Sequence, residues 1–169
     1  MKILALSENT TSDPRLGTEH GLSLYIEACG KKILFDTGQG DLFAENAAVL
    51  GVDLAAVDLA VISHGHYDHG GGIARFLKEN RKAPVYVSSY AFERHFNAAG
   101  KDIGLDPALQ RDVRIRPAGD RTELAPGITL LSRGGRPWLF PLQTGGLQKG
   151  TPGRLVPEDF RHEQYLLNE

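Results

Sequence analysis

The chain has 169 residues, 41% of them hydrophobic and 24% charged, with 19 Lys and Arg against 21 Asp and Glu for a formal net charge of -2. That length supports a sizeable core in one domain, residues 1–169, and that charge provides no general pull toward nucleic acid or an anionic membrane. The one cysteine, Cys29, cannot form an internal disulfide, and no apolar run reaches the length of a signal peptide or a membrane span, so a cytoplasmic protein is expected.

Ile3 to Leu6 reads as a first strand running into the polar stretch Ser7 to Pro14. Leu22–Glu27 and Lys32–Phe35 read as a hairpin turning around Gly30. Asp41 to Leu50 reads as a helix stopped by Gly51. Leu59–Ile62 is a short apolar run suited to a buried strand. Ile73, Phe76 and Leu77 fall at helical spacing, and Pro84–Val87 is another strand. Ser88 or Ser89 is placed to cap a helix through about Asn97, which puts His95 on a helix surface. Val113–Arg116 and Ile128–Leu131 read as strands. From Arg133 to Gly153 the chain holds six glycines and three prolines around Trp138, Leu139, Phe140 and Leu142, so this reads as one long loop whose aromatics could line a substrate mouth. Gln164–Asn168 reads as the start of a strand. Strands and helices alternating around a strand-end loop predict an α/β domain with helices on a mixed sheet.

The chemistry concentrates between Ile62 and Gly72. His64, His66 and His69 are half of the six histidines of the chain, and they share six consecutive residues with Asp68. Imidazole and carboxylate are the donors that zinc and similar borderline divalent ions prefer. Extended backbone puts His64 and His66 on one side, while Asp68 and His69 come from the turn that follows. Two adjacent ions, one on His64 and His66 and one on Asp68 and His69, is the arrangement this spacing favours. A two-metal site holds its ions roughly 3.5–4 Å apart and can bind a hydroxide between them, available near neutral pH. Gly70, Gly71 and Gly72 would let the backbone pass close to the ions.

Around this motif, Asp36 at a strand end could accept the free ring N–H of a ligating histidine, or open an Asx turn toward Gly38. Glu19 and His20 precede a strand, with Gly21 giving the backbone freedom, so His20 is a candidate to touch substrate or metal. His162 is a further candidate whose plainer role is a surface or capping residue. Tyr67 could donate an outer hydrogen bond or simply pack.

The string His64-x-His66-x-Asp68-His69 after an apolar strand resembles the metal motif of the metallo-β-lactamase fold superfamily, as do Ile33-Leu34-Phe35-Asp36-Thr37-Gly38 and the lead-in Leu22–Glu27. Glu19-His20-Gly21-Leu22-Ser23, Ser63 to Gly72 and His162-Glu163-Gln164 resemble more narrowly a branch that includes dihydropterin or ribofuranosylaminobenzene-phosphate synthases and many uncharacterised metal-dependent hydrolases. The resemblance implies the first half of a four-layer αββα sandwich with the second half missing. It also implies that the remaining ligands, a further histidine, a bridging carboxylate and a last histidine, lie beyond this chain. With two ligands per ion, weak metal binding is expected. An uncovered apolar sheet face is expected too, favouring self-association or a separately encoded second half.

These readings rank the functions. First is a zinc-dependent hydrolase acting on a small, phosphorylated or similar, substrate through a metal-bound hydroxide, with His64, His66, Asp68 and His69 as ligands and Asp68 also catalytic. Second is an inactive metal-binding fragment or one subunit of a split enzyme, and third a mononuclear iron oxygenase. Nucleic-acid and membrane partners are not expected.

Overall fold

The computed structural model describes residues 1–133 and 144–168. Trp138, Leu139, Phe140 and Leu142, read from the sequence as lining a mouth, lie outside the described residues. The chain opens with strands β1 (Lys2–Ser7), β2 (Ser23–Ala28) and β3 (Lys31–Phe35), followed by helix α1 (Leu42–Val49). After a 3-10 turn at Leu54–Ala56 come β4 (Leu59–Val61), the single turn α2 (Tyr67–Gly70), α3 (Ile73–Glu79) and β5 (Val85–Ser88). Then follow β6 (His95–Phe96), β7 (Ile115–Ala118), β8 (Arg121–Ala125), β9 (Ile128–Ser132), β10 (Gln148–Thr151), β11 (Arg154–Pro157) and β12 (Gln164–Asn168).

The main sheet has the order β1-β2-β3-β4-β5-β7. Its first three strands form antiparallel pairs, and β3, β4, β5 and β7 run parallel. Side-chain alternation splits the strands between two cores. Leu34 of β3 and Ala60 of β4 face the helices, meeting Phe43, Ala47, Ile73 and Phe76. Ile33, Leu59 and Val61 face the other way and meet Ile128 and Leu130. This second core explains why β4 is apolar at every position: it is covered on both faces.

The second core shows that the expected first half of the sandwich carries part of a second sheet. A three-stranded antiparallel sheet, β12-β9-β8, already lies over that face, and β12 finds its partner in β9, with Gln164 opposite Ser132 and Asn168 opposite Ile128. Part of the face stays uncovered. A groove of about 340 Å³ runs between the sheets, lined by Ile3, Ile26, Phe35, Ile128 and Leu166, and Ile3 is half exposed. No helix among the described residues is long and apolar enough to cross a membrane.

Two segments differ from the sequence reading. The helix expected from Ser88 to Asn97 is a set of turns leading into β6, which pairs with β10 and bridges Asp102. Ser88 does cap a turn, since its Oγ accepts from Tyr90 N–H, but the following backbone is taken by strand pairing. The stretch read as one loop from 133 to 153 contains β10, which together with β11 and β6 makes a third small sheet. Glycine and proline content masked it: Gly150 sits in the strand at φ 124, and no apolar alternation marks the segment.

Candidate metal centre

Asp36 organises the outer part of the site. It is fully buried at the end of β3 and adopts a left-handed φ of 60, a conformation that Asp tolerates better than most side chains. The carboxylate accepts from Ser63 N–H at 2.6 Å, from Ser63 Oγ at 2.7 Å and from His69 Nδ1 at 2.7 Å. Ser63 Oγ spends its proton on Asp36, so at 2.9 Å it can only accept from His64 Nδ1. Both outer imidazoles therefore carry their proton on Nδ1 and keep a lone pair on Nε2, the tautomer a metal needs.

Asp68 completes this outer group. His64, His66 and Asp68 each offer one donor atom, and these atoms all lie within 4.8 Å of one another. Asp68 Oδ2 is also 3.7 Å from His69 Nε2 and 3.4 Å from His20 Nε2. His20 itself is largely exposed at the rim. Glu19 turns away from it: its Oε1 accepts from Ser7 Oγ and from Gln39 N–H, tying the first strand to the loop after Asp36. Tyr67 lies under the Lys101 ammonium rather than against the imidazoles. The turn is held by close backbone approaches. Gly21 has φ 132, and a Cβ there would run into the Asp68 carbonyl; a Cβ on Gly72 would run into the Thr37 carbonyl. Gly71 and Gly72 thus serve contact with the 37–40 loop, while Gly70 lies against Leu105, Ile62 and Ile73.

A second group lies deeper and was not expected. His66, His95, Glu158 and His162 are all buried, again with one donor atom each within 4.8 Å. His95, read from the sequence as a surface helix residue, has no exposed area. Backbone bonds explain how it arrives: Ile103 N–H donates to His95 C=O, and Ile103 C=O accepts from Tyr67 N–H, so one residue stitches β6 to the motif. His162 is brought in by Gln164, whose N–H donates to Ser63 C=O and whose Nε2 donates to Ile62 C=O. No sequence spacing signals the contacts of His95 or Glu158; His162 is the one sequence candidate that lies in this inner group beside His66.

Electrostatics favour neutral imidazole throughout most of the cluster. Burial, reinforced by the neighbouring imidazoles, pulls His64 down to about 2 and His66 down to about 3, and burial also lowers His162. Burial works against the charged form of His69 as well, but the bond and charge of Asp36 outweigh it and raise His69. Glu158 is held far below the usual carboxylate range; burial would raise it, but the His162 and His95 side chains more than offset this. Neutral imidazole at His64, His66 and His162 and an ionised Glu158 are the donor state of a divalent cation site, so these residues fit such an ion, while burial raises the Asp36 carboxyl behind His69.

The sequence profile of the Metallo-beta-lactamase superfamily matches residues 16–147. The chain belongs to that superfamily. It is similar to the 7,8-dihydropterin-6-methyl-4-(beta-D-ribofuranosyl)-aminobenzene-5'-phosphate synthase of Methanocaldococcus jannaschii, 32% identical over 152 residues that take in 78% of this chain and 50% of the relative. A shorter match, 36% identical over 70 residues, covers 40% of this chain and 16% of Ribonuclease TTHA0252 of Thermus thermophilus. Among solved structures, Tm1679, a metal-dependent hydrolase of the beta-lactamase superfamily, superposes with a TM-score of 0.78 at 27% identity, covering 98% of this chain and 60% of its own. The chain thus spans about half the length of the synthase it matches. Membership of this superfamily implies a divalent metal, and the two buried and half-buried donor groups are where this member could hold one.

Proposed function

We propose that this chain carries the metal centre of a hydrolase acting on a small phosphorylated substrate, with zinc as its metal. The observation that supports it best is the pair of fixed tautomers at His64 and His69, both set by the Asp36–Ser63 pair with their Nε2 atoms left as donors next to Asp68. A divalent ion there would supply a Lewis acid and a water activated near neutral pH. The chain's own residues do the rest. His64, His66, Asp68 and His69 would hold the ion, and Asp36 keeps the two outer rings from turning. Asp68, facing both His69 and His20, is placed to accept a proton from an attacking water. His20 at the rim can meet an anionic substrate group. The phosphate is suggested by the name of the archaeal synthase relative, and hydrolysis by the likeness to Tm1679, a metal-dependent hydrolase. The near-balanced charge argues against nucleic acid as the substrate. With a single cysteine and no disulfide to protect, a cytoplasmic site of action is part of the proposal.

Hydrolysis of bis(p-nitrophenyl) phosphate by zinc-loaded protein tests this reading. Activity above that of free zinc, abolished by Asp68→Ala and by His66→Ala, is the expected result. Activity surviving both substitutions would rule this site out.

The groove between the sheets favours a second reading, in which the chain acts together with more polypeptide. Ile3, Ile26, Phe35, Ile128 and Leu166 form an apolar lining open to solvent, and β12 is an edge strand whose Tyr165 and Leu167 are exposed. A second copy is the occupant proposed. Light scattering of the purified chain should show a dimer that Phe35→Asp and Leu166→Asp convert to monomer; a monomer at all concentrations would contradict it.

A further inference from the structure

His66, His95 and His162 stand as mutual neighbours. Their ring centroids form a triangle with sides of 5.2 Å between His66 and His95, 5.1 Å between His66 and His162, and 4.2 Å between His95 and His162. Each ring has a buried Nε2 without a hydrogen-bond partner among the described residues. A buried polar atom left without a partner costs on the order of 1–3 kcal/mol, and three at one point demand an explanation. Glu158 accounts for one side of the triangle: it bonds His95 Nδ1, and its Oε1 lies 3.6 Å from His162 Nε2, beyond hydrogen-bond reach. His95 Nδ1 donates to Glu158 Oε2 at 2.6 Å, and Glu158 Oε1 accepts from Asp159 N–H and Phe160 N–H. Glu158 thereby fixes the His95 tautomer with a lone pair on Nε2, as carboxylates do behind metal-bound imidazoles.

We propose that His66, His95 and His162 form a second, buried site for a borderline divalent cation, with Glu158 as the positioning residue that holds His95. The site is distinct from the outer group, since His64, Asp68 and His69 take no part in it, and it stands whether or not the outer group hydrolyses anything. His66 is common to both, so the two sites compete for one imidazole or share it. Three nitrogens favour zinc, cobalt or nickel over magnesium or calcium. The complete burial of His95 and His162 makes the ion a clasp joining β6, the motif and the segment before β12. This also revises the expectation of weak binding, which counted only the ligands of the motif.

One proton must move on loading. Gly65 N–H donates to His162 Nδ1 at 2.6 Å, so the neutral ring carries its proton on Nε2. To ligate through Nε2, the ring gives up that proton and takes one at Nδ1, and Gly65 N–H loses its acceptor. The proton count of the ring is unchanged.

Cobalt titration followed by visible absorption and metal analysis tests the site. Wild type should bind one more cobalt per chain than His95→Gln, and the intense bands of low-coordinate cobalt should survive in a His64→Ala, Asp68→Ala double variant. A folded His95→Gln with wild-type stoichiometry and spectrum would overturn the proposal while leaving the outer site intact. Loss of metal in the double variant alone would do the same. Should His95→Gln fail to fold, the Gly65 amide of wild type decides. Its hydrogen exchange should speed up several-fold on adding zinc, and unchanged exchange at zinc saturation contradicts ligation by His162. A chain holding buried water instead would show neither extra cobalt nor a response at Gly65.

Discussion

The outer and inner histidine groups differ in how they are assembled. The outer one is local: His64, Asp68 and His69 come from one turn, and only Asp36 is imported, 33 residues away from His69. The inner one joins His66 to residues near positions 95 and 160, with Gly65 and His162 separated by 97 residues. The outer group is half-open and can meet substrate; the inner group is closed and can only bind what fits between three rings. The difference teaches that one motif can serve two purposes. In the proposed reading its half-buried residues His64, Asp68 and His69 face chemistry, and the buried His66 turns inward as the corner of a clasp.

The largest expected effect breaks the inner group. Glu158→Ala leaves His95 Nδ1 and the Asp159 and Phe160 amides without their acceptor, and should cost about 3–5 kcal/mol in urea unfolding, because three buried donors go unsatisfied at about 1–3 kcal/mol each. Asp36→Ala should cost about 2–3 kcal/mol by the same logic at the outer group, where Ser63 N–H loses its acceptor. It should also free the His64 and His69 rings and lower zinc affinity at the outer group, whereas the Glu158 change lowers affinity at the inner group by freeing His95. If Asp36→Ala weakens the inner site, or Glu158→Ala the outer one, as much as its own, the distinction between the groups is wrong.

Acid sharpens the comparison. His64 and His66 have folded values of about 2 and about 3 against an ordinary 6.5, so the unfolded chain takes up protons first as pH falls. Their contribution is complete above 6.5 and is lost on acidification, on the order of 1–2 kcal/mol per ring by about pH 5. Glu158, held low, adds to the loss below the carboxylate range. His69 runs the other way: raised by Asp36, its contribution is complete below 6.5 and fades as pH rises through its folded value. Metal-free protein should therefore be less stable at about pH 5 than at about pH 7, measured by urea unfolding at each pH; equal stability would contradict the neutral buried imidazoles. The smallest effect expected is at His20, where an exposed ring faces Asp68. His20→Ala should change stability by less than about 0.5 kcal/mol, and a larger change in thermal unfolding would mean that the rim is structural.

What could be read from the sequence follows the same division. The helix at Leu42–Val49 and the strands β1 to β5 carry their own patterns of apolar spacing, so they and the motif between β4 and α3 were legible. The strand β6 was not. Its two residues are strand because Gln148 and Lys149 pair with them and the 102–103 segment bonds to their other side, while the local Ser88–Asn97 sequence favours a helix by itself. That one misreading put His95 on the surface and hid the inner group. Likewise β12 found its partner in β9, an antiparallel pairing that no local pattern announces. Long-range pairing, rather than propensity, placed every residue of the inner triangle except His66.

Ion binding by these side chains underlies every role proposed for them, and metal content measures it directly. After dialysis against zinc and removal of the free metal, the wild-type chain should retain at least one zinc, and a His64→Ala, His66→Ala variant that keeps the wild-type circular dichroism should retain markedly less. Equal zinc in both, or none in the wild type, would contradict the account.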